Sequence, residues 1–293
     1  MPGMTFTDKF IGYIDILGFK ALVEAAESGV GMPLDELLDL ARTLGSPDQV
    51  KHFRERGSAI CPGSPRMKRD LDFCVTQISD CAVVSSEVSP AGVIALVNHC
   101  WVAVMALLRR GVLCRGYITR GKIFHTDAQV VGSGYQRAYE REGNVAAFKH
   151  EADERGTPFV EIDGVVCDFV SACGDWCTQE MFARSVRSDG EVTALFPFKT
   201  LAHKFVIRGK GNGFDSMKER QANRNVRVHI GRLKDSVSAL IDPSNLKAVK
   251  KAEHYLHALD AQLRVCDKTD ELLDLLDSPA SPETVAKLRT FIT

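Results

Sequence analysis

Residues 10–17 read Phe-Ile-Gly-Tyr-Ile-Asp-Ile-Leu, an apolar β-type run with a single acid, Asp15, planted in it. A short run this rich in Ile and aromatic side chains makes a buried strand. A carboxylate inside such a strand is costly unless something balances its charge. The run continues through Leu17-Gly18-Phe19, where a glycine turn leads into a helix over Ala21 to Gly29. One reading makes Asp15 a strand-end cap for that helix. A second acid in the same setting favours another. Ile78-Ser79-Asp80-Cys81-Ala82-Val83-Val84 puts Asp80 in a hairpin turn between two β-type runs. Two acids ending neighbouring strands make a divalent-metal site, because Mg²⁺ takes one or two carboxylates and fills its other positions with water and phosphate oxygen.

The flanking segments supply a frame for these acids. Residues 71–78 and 81–87 form the hairpin, Ser89 caps a long helix through Leu108, and a strand runs from Gly111 to about Ile123. Ala128 to Val131 is a further β stretch, Gly134 to Lys149 a helix, and Thr157 to Ile162 a short strand. The order β-α-β-β-α-β predicts an α+β fold, a ferredoxin-like antiparallel sheet with helices on one face. Pro33 to Gly57 has a helical leucine pattern broken at Gly45-Ser46-Pro47, and residues 45–70 read as an insertion within a core spanning 1–165. From 166 to 293 the chain reads as a mostly helical C-terminal extension, with helices over 165–185, 214–241, 245–266 and 283–291. Val228, Ile230, Leu233, Val237 and Leu240 recur at helical spacing as a packing face. Asp189 to Asn212 reads as loop, and its Arg208-Gly209-Lys210-Gly211 as a solvated basic turn.

Composition narrows the classes. A formal net charge of −1 gives no basic excess for a dedicated nucleic-acid binder. The nine cysteines are scattered and never form Cys-x-x-Cys, which fits reduced cytoplasmic thiols better than disulfides or zinc. A membrane span needs about 18–20 unbroken apolar residues. The richest stretch, Ala91 to Leu108, contains Asn98 and His99 and reads as a buried helix. The N-terminus lacks a signal-peptide pattern. The expectation is a cytoplasmic protein with no membrane span and no nucleic-acid partner.

Three blocks in order carry a resemblance. Asp15-Ile16-Leu17-Gly18-Phe19 resembles the Asp-Ile-x-Gly-Phe signature of class III nucleotidyl cyclases, and Ile78-Ser79-Asp80-Cys81 resembles their metal hairpin. Arg115-Gly116-Tyr117-Ile118-Thr119-Arg120-Gly121-Lys122, followed by Gly132 to Glu142, resembles their Arg-x-Gly-Ile-His-Thr-Gly strand and the helix after it. The likeness covers roughly residues 8–165, and within the family the chain is most similar to the bacterial antiphage Pycsar pyrimidine cyclases. The resemblance implies a palm-type core and the conversion of a nucleoside triphosphate to its 3′,5′-cyclic monophosphate and pyrophosphate. It implies two Mg²⁺ or Mn²⁺ ions held by Asp15, Asp80 and the Ile16 carbonyl. The turn at Gly18, Phe19 and Lys20 would cradle phosphates at a helix N-terminus, with Lys122 as a further phosphate ligand. It also implies a homodimer with sites shared between chains, and a separate effector protein that senses the cyclic nucleotide in antiphage defence.

The departures from the family set the substrate. Purine-reading positions are occupied by Cys74 and Gln129, so the adenine-reading Lys/Asp pair is absent and a pyrimidine is expected, UTP before CTP. The transition-state Asn and Arg of the family's helix correspond to Gln136 and Glu140. Gln136 can still donate a hydrogen bond, but Glu140 cannot replace an arginine, leaving Arg115, Arg137 or Lys122 to supply that charge. Arg115 reads equally as a salt bridge at a sheet edge. Two other classes compete. A palm-type nucleotidyl transferase related to diguanylate cyclases would carry a Gly-Gly-Asp/Glu-Glu-Phe turn, where this hairpin has Ile-Ser-Asp-Cys. A non-catalytic nucleotide sensor or RNA-binding ferredoxin-like module would display aromatics on its strands for stacking, and 71–87 offers only Phe73.

Overall fold

The computed structural model of the chain describes residues 4–45, 70–202, 214–279 and 281–292, with 288–292 as backbone. It is an α+β structure with an open, mostly antiparallel sheet of eight strands. The sheet is built on β1 (Thr7–Ile16), which pairs antiparallel with β3 (Cys81–Glu87) on one edge and β4 (Cys114–His125) on the other. β2 (Phe73–Ile78) extends it beyond β3. The order β2-β3-β1-β4 continues through β6 (Val160–Ile162), which is parallel to β4, to β8 (Val192–Leu195) and β7 (Val186–Asp189). The two-residue β5 (Val130–Val131) pairs with the end of β4.

Alternation along β1 gives the sheet two different faces. Phe10, Ile14 and Ile16 point one way with Ala82, Val84, Cys114 and Ile118, and form the main core. Helix α3 (Pro90–Arg109) covers them; Ser89 caps it by accepting from the Gly92 amide at 3.0 Å. Among the described residues α3 is the one helix long and apolar enough to cross a membrane, and Val93, Leu96, Val97, Cys100, Val104, Leu107 and Leu108 are all buried in the fold. α1 (Phe19–Glu27) and α2 (Leu34–Arg42) precede β2. Of the expected insertion, 46–69 lies outside the described residues, as does the basic turn at 208–211.

The other face carries Ile11, Tyr13 and Val83 and is covered by one short helix, α4 (Ser133–Glu142). Its seat is a glycine contact. A Cβ on Gly121 would lie 2.9 Å from the Cα of Gly134, and one on Gly134 would lie 3.1 Å from the Gly121 backbone. The helix stops at Gly143, short of the expected Lys149.

The chain beyond 165 is less purely helical than its pattern predicts. The run over 165–185 divides into α5 (Gly164–Ala172) and α6 (Trp176–Ser185), β7 follows α6 directly and β8 lies in the stretch read as loop, so the sheet crosses residue 165. α7 (Ser216–Ala239) and α8 (Leu246–Asp277) then pair, and α9 (Pro282–Ile292) follows. Arg220 reaches Asp274 and Asp277 at 2.8 and 2.9 Å, and Arg227 reaches Asp267 and Asp270 at 2.7 Å. The expected stripe contributes Ile230, Leu233 and Val237 to a second core with Leu113, Phe159, Phe198, Tyr255 and Leu259, while Val228 and Leu240 stay exposed.

Gly121→Ala should therefore lift α4 off the sheet, because the obstacle is main chain that cannot rotate away. The expected cost is about 1–3 kcal/mol in urea unfolding, the range for overpacking; an unchanged midpoint would show that the seat is slack.

Candidate functional site

Asp15 lies opposite Cys81 on β3 and Arg115 on β4, and residues opposed across antiparallel strands share a face. This is the face under α4, away from the main core. Asp15 does not cap α1: the N-cap is Gly18, at φ 78°, and no side chain caps the helix. Asp80 sits in the two-residue turn between β2 and β3, with Ser79 at φ 55° and the Asp80 carbonyl accepting from the Ile16 amide at 3.0 Å. That bond ties the hairpin to the end of β1 and brings the two acids to one corner.

Three more charges converge there. Glu142, the last residue of α4, is 7% exposed and forms an ion pair with Arg115. The guanidinium also packs on Gly156, where a Cβ would come within 2.5 Å of Nη1. Arg115 is thus seen in a salt bridge, on an interior strand of the sheet and not at its edge. Lys251, near the start of α8, lies within Coulombic reach of Asp15, Glu142 and Arg115. The Asp15 carboxyl is pushed up to about 7, first by burial and then by the charges of Glu142 and Asp80, against the opposing pull of Arg115 and Lys251. Burial and a hydrogen bond with Cys81 raise the Tyr13 hydroxyl. Burial and then Arg115 lower the Lys251 ammonium.

A corner where carboxylates crowd and one is held near neutrality fits a divalent cation, which needs only one or two of them. Among the described residues Asp15 and Asp80 are the acids of the corner without an arginine at salt-bridge distance, and they would hold it. Among the described residues no preassembled group of three or more His, Cys, Asp or Glu ligands is present.

The remaining predicted residues divide by position. Ile16 is buried at the corner, Gly18 is the N-cap just beyond it, and Phe19 and Lys20 open α1. The Lys20 side chain is 89% exposed and 3.7 Å from Glu24. Gln136 and Glu140 lie exposed on the outer side of α4. Lys122 is exposed and opposite Asp8, seven residues along the strand from the Asp15–Arg115 pair. Seven residues of strand span about 24 Å, so one chain does not bring Lys122 to the acids.

At that far end the β4–β5 loop folds back over β2. The Cys74 thiol donates to Asp127 at 3.6 Å, Thr76 donates to the Thr126 carbonyl at 3.0 Å, and His125 bridges Ser85 and Thr76 at 2.8 and 3.0 Å. Gln129 closes the loop, its amide donating to Thr126 Oγ1 at 3.1 Å. Cys74 and the Gln129 loop, the two positions expected to read the base, are therefore neighbours. Sequence reasoning assigned no role to Glu142 or Lys251. Glu142 closes the matched helix block, which was a usable signal; Lys251 has none, being one of several lysines on a charged helix.

No protein-family model matches the chain, and no curated protein matches it.

Two outcomes follow from the charges. The native Asp15 holds its proton to about pH 7, whereas an unfolded aspartate releases it near 3.8. Its contribution is therefore favourable below about pH 4 and lost as pH rises toward 7. Asp15→Asn should stabilise the metal-free protein at pH 7.5 by about 2 kcal/mol, allowing for partial exposure, and flatten its stability between pH 4 and 7 in EDTA. Separately, Arg115→Met should cost about 3–5 kcal/mol by stranding Glu142, while Arg115→Met with Glu142→Met should recover most of it. Equal losses in the single and double variants would deny the pair this role.

Proposed function

We propose that the chain is a nucleotide cyclase that converts a pyrimidine nucleoside triphosphate, UTP before CTP, to its 3′,5′-cyclic monophosphate and pyrophosphate. The observation that carries this reading is the convergence of Asp15, on the face opposite the main core, with Asp80 of the adjoining turn at one corner of the sheet, where their charges are coupled. The strand order β2-β3-β1-β4, with helical crossovers after β1 and β3, supports a ferredoxin-like, palm-type arrangement.

In the reaction the ribose 3′-oxygen gives its proton to water and bonds to the α-phosphorus as the bond from that phosphorus to the bridging α,β-oxygen breaks, releasing pyrophosphate. Bound Mg²⁺ or Mn²⁺ would lower the pKa of the 3′-hydroxyl and offset charge on the departing pyrophosphate. Asp15 and Asp80 orient the reacting end, Arg115 holds Glu142 in an ion pair beside them, and the amides at Gly18 to Lys20 face the phosphates. Cys74 and Gln129 bound the base. Their separation from the acids within one chain favours a site shared by two copies, with Gln136 and Lys122 offered to the partner from exposed positions. Cyclic UMP or cyclic CMP would act through a separate effector.

The RNA-reader alternative is weaker on geometry. Tyr13 and Tyr117, on the two central strands, are 6% and 7% exposed beneath α4, and Phe73 faces His99 of α3 at 5.7 Å between ring centroids. None is open for base stacking.

Purified protein incubated with Mn²⁺ and an equimolar mixture of the four nucleoside triphosphates should yield mainly cyclic UMP, or cyclic CMP, by mass spectrometry. Asp15→Asn or Asp80→Asn should each reduce yield more than about 100-fold. Mixing Asp15→Asn with an impaired Gln136→Ala chain should restore part of it. Dominant cyclic AMP or cyclic GMP would overturn the pyrimidine assignment, and near-normal turnover by either aspartate variant the metal assignment.

A further inference from the structure

Helix α8 is fastened at its start by contacts that leave one lysine over. Lys250 pairs with Glu151 at 2.6 Å, and His254 bridges the Phe148 carbonyl at 3.0 Å and Glu154 at 2.9 Å. Ala252, Tyr255 and Leu259 are buried in the second core. Lys251, between these anchors, is half-buried, and the adjoining Ala252 and Tyr255 share the second core with Leu113 and Leu17, each two residues from Arg115 or Asp15, which puts Lys251 within Coulombic reach of Arg115, Glu142 and Asp15. Among the described residues no carboxylate comes within salt-bridge distance of its ammonium: Glu142 is taken by Arg115, and Glu151 by Lys250.

A desolvated, unpaired ammonium next to a second cation is unfavourable in the empty fold. Such arrangements mark groups that wait for a ligand of opposite charge. The ligand must also suit the corner once divalent cations sit on Asp15 and Asp80. The corner then turns net positive, and the match is a polyphosphate, not a further cation.

We propose that Lys251 is a polyphosphate-binding residue of this site, gripping the β- and γ-phosphates that depart as pyrophosphate, so that the C-terminal extension completes the nucleotide site. The inference rests on the nucleotide reading above. A charge-assisted contact to phosphate is strong and specific to a cationic head. A lysine serving only as counter-ion to Asp15 would affect stability and leave phosphate affinity unchanged.

The direct test is titration calorimetry with inorganic tripolyphosphate and Mg²⁺, alongside steady-state kinetics with UTP. Lys251→Met keeps the apolar stem and should weaken tripolyphosphate binding about tenfold or more, while Lys251→Arg should stay within about threefold of the parent. With UTP, Lys251→Met should raise KM by a similar factor. If Lys251→Met fails to fold by circular dichroism, Lys251→Ala, the best helix former, replaces it. Unchanged tripolyphosphate affinity in the folded variant, or no binding by the parent, overturns the assignment. Tripolyphosphate binding that depends on Lys251 with no cyclic product from any nucleotide would instead sink the cyclase reading alone. Cyclic UMP formed at unchanged KM by Lys251→Met would sink the lysine assignment alone.

Discussion

Strand β1 is hydrogen-bonded on both edges, to β3 and β4, and packed on both faces, against α3 and α4. An ionisable group on such a strand can reach solvent or a ligand only at the strand's end. Asp15 stands there, one residue before the last, and the Asp80 turn is pinned beside it by the Ile16 amide. The identity of every other group at the corner follows from what sits next to that end: Arg115 by register, Glu142 by the length of α4, and Lys251 by the docking of α8. Removing water from Asp15 is what couples these charges, because screening that would separate them in solution is weak there.

The corner is built against the stability of the empty protein. An acid held near neutrality, a buried acid that needs an arginine, and an ammonium with no carboxylate at salt-bridge distance among the described residues are three separate costs in one place. Sequences keep such conflicts at sites that bind something. Among the described residues the apolar side of the same strand shows no comparable conflict: Phe10, Ile14 and Ile16 meet α3 and its neighbours with no buried charge among them.

Elements with strong local patterns were legible from the residues alone. The acid-bearing strand, the Ser79-Asp80 hairpin, the Ser89-capped helix and the long β4 follow from period, turn chemistry and capping, which act over a few residues. The β7–β8 hairpin was not legible, because Arg187-Ser188-Asp189 is polar and four-residue strands gain their order from pairing rather than propensity. The continuation of α8 to Asp277 was hidden for a related reason: Asp267, Asp270 and Asp274 look like a solvated acidic run until Arg220 and Arg227 of α7 are placed against them. In the site, Asp15 and Asp80 announced themselves by apolar surroundings. Lys251 could not, since its neighbours at the corner are over a hundred positions away and adjacent lysines share its local sequence.

The meeting of Gly121 with Gly134 has a consequence for how this surface can change over time. Main chain rests on main chain there, with the Ile11 side chain beneath Gly134, so the height of α4 above the sheet is set from its inner side and not by the residues it displays outward. The outward residues Gln136, Arg137 and Glu140 are mounted on a support that their own replacement leaves undisturbed. A lineage can therefore exchange the chemistry displayed on that helix one residue at a time without relearning the fold.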